Sequence, residues 1–371
     1  MKLRFKKHVA LTLISLMLLS LIGCGKPAST DTTTTTEAAV TEAPAASISD
    51  AATTADSTPA DASEEGSDAQ TVYPVTVTDQ AGREVTIEKE PESIVSGYYI
   101  STSLLLALGL KDKVTGIEAK ADKRPIYKLA APEFLELPNV GTAKEFDLET
   151  CASLSPELVI LPMKLKDAAQ SLSELDIPVL LVNPESEDQL EQMIELVSTA
   201  TNTKENADVL LSYIDEKKER LEKDLSGVDA KSVYLAGNSS LLSTAGPAMY
   251  QSGLIELAGG KNAASEITDT YWAEISYEQL LAWDPSYIIL ASDAEYTPED
   301  VLNDENLKEC TAVKNGNVYA IPGDIEALDS PVPGGILASI WLAGILHPDQ
   351  VSADMYTEEK AAFYETFYGI K

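Results

Sequence analysis

Two stretches of the chain, Leu148-Glu-Thr-Cys-Ala-Ser-Leu-Ser-Pro-Glu-Leu-Val-Ile-Leu161 and Tyr277-Glu-Gln-Leu-Leu-Ala-Trp-Asp-Pro-Ser-Tyr-Ile-Ile-Leu290, begin 129 positions apart and say nearly the same thing. Each reads as a short amphipathic helix, a turn marked by Pro156 or Pro285, and an apolar strand. Each also carries one acid near its helix start, Glu149 or Glu278. Such self-similarity signals duplicated architecture. The separation is too large for neighbouring units of a solenoid and suits corresponding parts of two lobes. A cleft between lobes is a natural place for a ligand.

The duplicated body does not start at the first residue. Lys2, Arg4, Lys6 and Lys7 precede an apolar run over residues 9–22, which is too short for a membrane span and reads as a signal peptide. The run ends in Leu21-Ile22-Gly23-Cys24, which resembles the bacterial lipobox, whose cysteine is acylated and becomes the new N-terminus. The expectation is a lipoprotein signal peptide over residues 1–23. The mature protein would then be lipid-anchored through Cys24 to the cell membrane, on its extracytoplasmic face and without spanning it. Residues 27–72 hold nine acids and neither Lys nor Arg among Thr, Ala, Ser and Pro. Such a segment cannot bury enough apolar surface to offset its conformational entropy, so residues 24–72 are expected to be a disordered tether acting as a spacer.

About 300 residues remain, enough for two lobes with substantial cores. The whole chain carries a formal charge of −33, most of it in this body, which argues against nucleic acid or an anionic lipid surface as partner. Cys151 sits where the second repeat has Leu280, so a packed free thiol is expected there rather than a disulfide.

Within the body, residues 75–78 and 84–87 flank Asp79-Gln-Ala-Gly82 and read as a hairpin. Strands are expected at 94–96, 114–117, 158–161 and 179–182, with a helix over 104–108 stopped by Gly109. Residues 205–225 contain neither Pro nor Gly. They read as a long helix with Ala207, Leu210, Leu211, Ile214 and Leu221 on one face and Lys217 to Arg220 on the other. Strands at 233–236, 287–290 and 318–321, and helices at 249–258, 336–346 and 358–368, complete the pattern. The expected fold class is α/β: two lobes with mainly parallel sheets, joined by one long inter-lobe helix, with the cleft between them. The lobe boundaries read as 73–203, 204–226 for the helix, and 227–371.

This arrangement resembles the bacterial solute-binding proteins of the iron-complex and vitamin B12 type, the receptors of ABC importers. The resemblance rests on Val77-Thr-Asp-Gln-Ala-Gly-Arg-Glu-Val-Thr-Ile87, Leu106-Ala-Leu-Gly-Leu-Lys-Asp-Lys-Val-Thr-Gly-Ile117, Asn139-Val-Gly-Thr142, the two repeats, Val313-Lys-Asn-Gly-Asn-Val-Tyr319, and Ser330-Pro331 followed by Trp341-Leu-Ala343. It implies a comparatively rigid two-lobe clamp, monomeric, without a cofactor and without catalysis. Its partners would be a membrane permease and the permease's ATPase. The resemblance also makes Glu149 and Glu278 counterparts of the family's two lobe-surface glutamates, which dock into arginine-lined pockets of the permease. An acid in a first helical turn is also favoured by the helix dipole alone, by about 0.3–1 kcal/mol, and Asp147 and Ser276 are good N-caps.

Ligand contacts are expected where strand ends feed cleft-side loops. In lobe one the candidates are Tyr98, Tyr99, Lys120, Arg124, Thr142, Lys144 and Lys164; in lobe two they are Thr244, Trp272 and Asp324. The basic residues gather in consecutive loops of an acidic protein, which suits an anionic metal complex, with a ferric siderophore first. A corrinoid or haem is the alternative ligand, and a sensory or adhesive lipoprotein without transport is the alternative class. Trp272 lies where the vitamin B12 receptor has a cleft tryptophan. Lys120, Ala143 and Pro162 stand where that receptor has aromatics, a departure that argues against cobalamin itself. After signal removal only His347 remains, which argues against the multi-histidine zinc and manganese receptors. His347 is expected to interact with the C-terminal dipole of its helix. No Gly-x-Ser-x-Gly elbow, metalloprotease motif or phosphate loop points to an enzyme.

Overall fold

Gln70 to Lys371, apart from Asp269, are described by a computed structural model. The expected signal peptide, Cys24 and the expected tether up to residue 69 lie outside the described residues. Thr71, assigned to the tether by its composition, donates from its backbone N to Asn202 Oδ1 at 2.8 Å and from its hydroxyl to the Thr199 carbonyl at 2.9 Å. The folded body therefore begins slightly earlier than the composition suggests.

The first half opens with a hairpin of β1 (Val75–Thr78) and β2 (Glu84–Ile87), closed by Asp79, whose carboxylate accepts from the Ala81 and Arg83 amides and from the Arg83 guanidinium. Next come β3 (Ile94–Ser96), α1 (Tyr99–Ala107), β4 (Val114–Gly116), α2 (Pro125–Ala130), α3 (Leu148–Ser153), β5 (Leu158–Pro162), α4 (Lys166–Ser173), β6 (Val179–Val182) and α5 (Glu187–Thr201). The 21-residue α6 (Lys204–Asp224) leads into the second half. That half contains β7 (Lys231–Ala236), β8 (Ser243–Ala245), α7 (Tyr250–Leu257), β9 (Gly260–Asn262), β10 (Trp272–Glu274), α8 (Tyr277–Trp283) and β11 (Tyr287–Leu290). It ends with α9 (Pro298–Leu302), α10 (Thr311–Asn315), β12 (Val318–Ala320), α11 (Ile336–Leu346) and α12 (Ala353–Tyr368).

The two main sheets are parallel and run in the same order, β4-β3-β5-β6 in lobe one and β9-β7-β11-β12 in lobe two. The strands of the two sequence repeats, β5 and β11, take the same place in each sheet. Parallel strands are covered by helices on both faces, so they read as unbroken apolar runs, and β5 and β6 are buried throughout. Cys151 and Cys310 are buried free thiols, and burial pushes the Cys151 thiol up to about 12.

Three elements differ from the sequence reading. Helix α1 begins at Tyr99 rather than at Leu104. Ser101, Thr102 and Ser103 read as a polar loop, but the first two hydroxyls turn back to the Tyr98 carbonyl and the three are buried. Helix α12 starts at Ala353, with the Ser352 hydroxyl accepting from the Asp354 amide, a cap that lengthens the expected 358–368 helix. Lys217 falls on the buried face of α6, because positions 207, 210, 214, 217 and 221 share one stripe at helical spacing. Its amine meets Glu359 of α12 at 3.1 Å, so a charge takes a core position by pairing there. His347 caps α11 and is buried, with Nε2 2.9 Å from the Gly259 carbonyl of lobe two.

Helices α6 and α12 tie the halves together. Tyr213 of α6 packs on Phe363 and Phe367 of α12 with ring centroids 5.3 and 5.7 Å apart, and α12 in turn packs on α1.

Candidate functional site

The C-terminal end of β3 and the start of α1 deliver Tyr98 and Tyr99 to the cleft. Gly97 between strand and tyrosines is closely packed: a Cβ there would meet Leu161 Cδ2 at 2.6 Å, so Leu161 would have to shift. The two rings stack edge to face, 5.3 Å apart, and line two adjoining spaces bounded by both lobes. They thus form a partition.

The larger space, about 780 Å³, lies on one side of that partition. Lobe one lines it with Glu118, Lys120, Lys123, Arg124 and Thr142, from the loops that follow β4 and Val140. Lys120 sits at φ 69° in the left-handed region, where the loop turns toward α2. Lobe two contributes Asp293 and Glu295 from the loop after β11. The Arg124 guanidinium stacks 4.0 Å from the Tyr99 ring centroid and stands 3.8 Å from Asp293 across the cleft. A stacked, half-buried guanidinium with its fork partly free is suited to planar anionic groups. Glu118 is buried and accepts from Thr102 at 2.7 Å and Tyr127 at 2.6 Å; burial raises its carboxyl above the usual range, and those two bonds oppose the rise.

On the other side of the partition, about 400 Å³ is lined by Glu185, Asn238, Ser243, Gln251, Trp272 and Asp329, with Tyr98 and Tyr99. Trp272 is 41% exposed on β10 and covers Gly237, where a Cβ would sit 3.0 Å from the indole. Asp329 is buried and accepts from the Ser292 hydroxyl and amide, while burial lifts its carboxyl above the usual range. Tyr99 bridges the lobes by donating its hydroxyl to Ser330 Oγ at 2.9 Å.

Of the ten ligand candidates, Tyr98, Tyr99, Lys120, Arg124, Thr142 and Trp272 line these spaces. Lys144 and Lys164 are exposed outside the lining. Thr244 is fully buried in β8 and donates to the Leu235 carbonyl at 2.7 Å. Asp324 holds Lys360 of α12 at 2.6 Å. The sequence reading passed over Asp293, Glu295, Glu185 and Gln251. Extending to β11 the strand-end rule that pointed to the loop after β5 would have reached Asp293 and Glu295. Gln251 carries no such signal, because it lies inside a helix.

Glu149 and Glu278 are exposed in the first turns of α3 and α8. Asp147 accepts from the Thr150 amide at 2.9 Å and Ser276 from the Gln279 amide at 3.2 Å, so one amide at each helix start is capped by the residue that precedes the helix. Hydrogen bonds from its own amide and from Ser276 hold the Glu278 carboxyl below the usual range.

The sequence profile of the periplasmic binding protein family matches residues 94–325, from β3 through the cleft loops of lobe two. The chain belongs to that family. It is 29% identical over 273 residues, 70% of this chain and 82% of the other, to an uncharacterized ABC transporter substrate-binding lipoprotein, YvrC, of Bacillus subtilis. It is 24% identical to the molybdate-binding protein MolA of Haemophilus influenzae, across 79% of this chain and 90% of that one. The crystal structure of a periplasmic solute-binding protein from Veillonella parvula superposes with a TM-score of 0.71 at 26% identity, covering 80% of this chain and 93% of that one. A petrobactin-binding protein of Bacillus subtilis and a cobalamin-binding protein of Halobacterium salinarum match at 23% and 21% identity. This is thus a solute-binding protein of the kind that serves ABC importers, and its relatives are receptors rather than enzymes. Among the described residues no helix is long and apolar enough to cross a membrane.

Proposed function

We propose that this receptor captures an iron complex, a ferric siderophore or a related anionic chelate, between its lobes and delivers it to a membrane permease. One observation carries the reading: Lys120, Lys123 and Arg124, beside Glu118, Asp293 and Glu295, line a space of about 780 Å³ that is floored by Tyr98 and Tyr99. That volume falls in the range of sites for organic ligands of several hundred daltons and exceeds what a bare tetrahedral oxoanion fills. The lining is hydrogen-bonding and aromatic in chemistry, which suits a cargo that brings its own metal ligands. A relative named for petrobactin supports the class. A corrinoid is the second reading, favoured by Trp272 beside Tyr98 and by the relative named for cobalamin.

Delivery would use Glu149 and Glu278, which occupy the same place in the two repeats and are exposed on their helices. Carboxylates paired with arginines across an interface fix orientation and register. Lipidation at Cys24 and a tether over residues 24–72 would hold lobes 73–203 and 227–371, joined by helix 204–226, at the extracytoplasmic membrane surface.

Ferric complexes, haem and corrinoids absorb at different wavelengths. Native mass spectrometry and absorbance of protein purified from its own host should therefore show a bound ferric chelate. A bound colourless oxoanion would overturn the iron-complex reading.

A further inference from the structure

Gln251, in the first turn of α7, is 7% exposed and lines the smaller space of the cleft. Its Nε2 donates to the Asp329 carbonyl at 2.8 Å. A carbonyl can only accept, so the amide cannot be turned the other way, and Oε1 is left as the free end. That oxygen is buried and has no hydrogen-bond partner; among the described residues only the Tyr356 hydroxyl shares this condition. An unsatisfied buried acceptor costs about 1–3 kcal/mol, a cost removed by a donor that either an ordered water or a cargo group supplies.

The surroundings say which donor. Glu185 and Asp329 line the same space and no Lys or Arg does, whereas Lys120, Lys123 and Arg124 all line the space beyond Tyr98 and Tyr99. The tyrosine pair thus separates a compartment that holds three cations beside Glu118, Asp293 and Glu295 from one that is rich in acceptors and lined by no cation. We infer that the acceptor-rich compartment is a second subsite for a protonated amine arm of the cargo, with Gln251 Oε1 accepting its N–H and Glu185 balancing its charge. The inference rests on the cleft being the ligand site and gives the cargo a polarity: an anionic chelate facing Arg124, a cationic or strongly donating arm reaching Gln251.

The test compares two synthetic ferric complexes by quenching of tryptophan fluorescence. One chelator is spermidine acylated on both primary amines with dihydroxybenzoyl groups, which keeps a protonated secondary amine in its linker. The other is the octanediamine analogue of equal length, with a methylene replacing that nitrogen. The wild-type protein should prefer the amine-bearing complex about tenfold or more, the usual effect of one hydrogen bond to a charged group. Gln251→Met, of similar length and without the acceptor, should bring the ratio of the two affinities toward one. Equal wild-type affinities, or a ratio unchanged in Gln251→Met, overturn the subsite and leave the ferric-complex reading standing. If neither complex binds, both fail. Equal affinities in the wild type overturn the subsite even if the variant does not fold.

Discussion

Glu326 is a carboxyl group with no cation in contact, sealed between the lobes. It is 6% exposed, accepts from Ser103 of α1 and lies 3.2 Å from the Tyr364 hydroxyl of α12, while Tyr368 reaches Ser103 at 2.9 Å. Burial pushes its carboxyl up from 4.5 to about 7; the bonds from Ser103 and Tyr364 and the charge of Arg124 oppose the rise. A raised carboxyl binds its proton more tightly in the folded than in the unfolded chain. Its contribution to stability is therefore complete below pH 4.5 and is lost as pH rises through about 7. That rise corresponds to an upper bound of about 3 kcal/mol, of which about 2–3 kcal/mol is lost between pH 5 and pH 8. For about 300 ordered residues this amounts to a melting temperature lower by roughly 4 °C. Glu326→Gln keeps the shape of the neutral acid and cannot ionise. Thermal denaturation of both proteins at pH 5 and pH 8, followed by circular dichroism, should show the variant losing less stability across that interval and exceeding the wild type at pH 8. Parallel losses in the two proteins would refute the reasoning.

Three further outcomes follow from the geometry. Arg124→Ala removes the guanidinium stacked on Tyr99 and should weaken binding of a ferric bis-catecholate complex at least tenfold by fluorescence titration, whereas Asp293→Asn, which frees Arg124, should strengthen it. Gly141 adopts φ 86°, and a Cβ there would lie 2.1 Å from the Glu145 carbonyl oxygen. Gly141→Ala should destabilise the protein by about 1–3 kcal/mol in urea denaturation and displace Thr142 from the cleft wall. Alanine at both Glu149 and Glu278 should abolish uptake of the iron complex by cells and leave its affinity for the purified receptor within twofold; unchanged uptake would remove the docking assignment.

How much of this was legible depends on the length scale of the signal. The two repeats could be read because parallel strands buried on both faces leave continuous apolar runs, and their strands β5 and β11 take the same place in the two sheets. The long α6 announced itself by length, but Lys217 did not, because a buried lysine paired with a distant Glu359 looks in sequence like any solvated charge. Tyr98, Tyr99 and Arg124 were reachable from the rule that strand ends feed ligand loops. The same rule overreached at Thr244, whose hydroxyl satisfies a strand carbonyl, and at Asp324, which the distant Lys360 holds. Gln251 was invisible: its significance lies in one unpaired oxygen, a property of three-dimensional hydrogen bonding alone.

The central claim is that cargo sits against the tyrosine partition between the lobes. The most direct measurement is a crystal structure of the protein purified from its host, with diffraction recorded on both sides of the iron absorption edge. The account predicts an anomalous peak in the space enclosed by Tyr99, Arg124 and Asp293, with density for a chelate extending past Tyr98 toward Gln251. A cargo bound elsewhere on the molecule, with that space filled only by water, would contradict it.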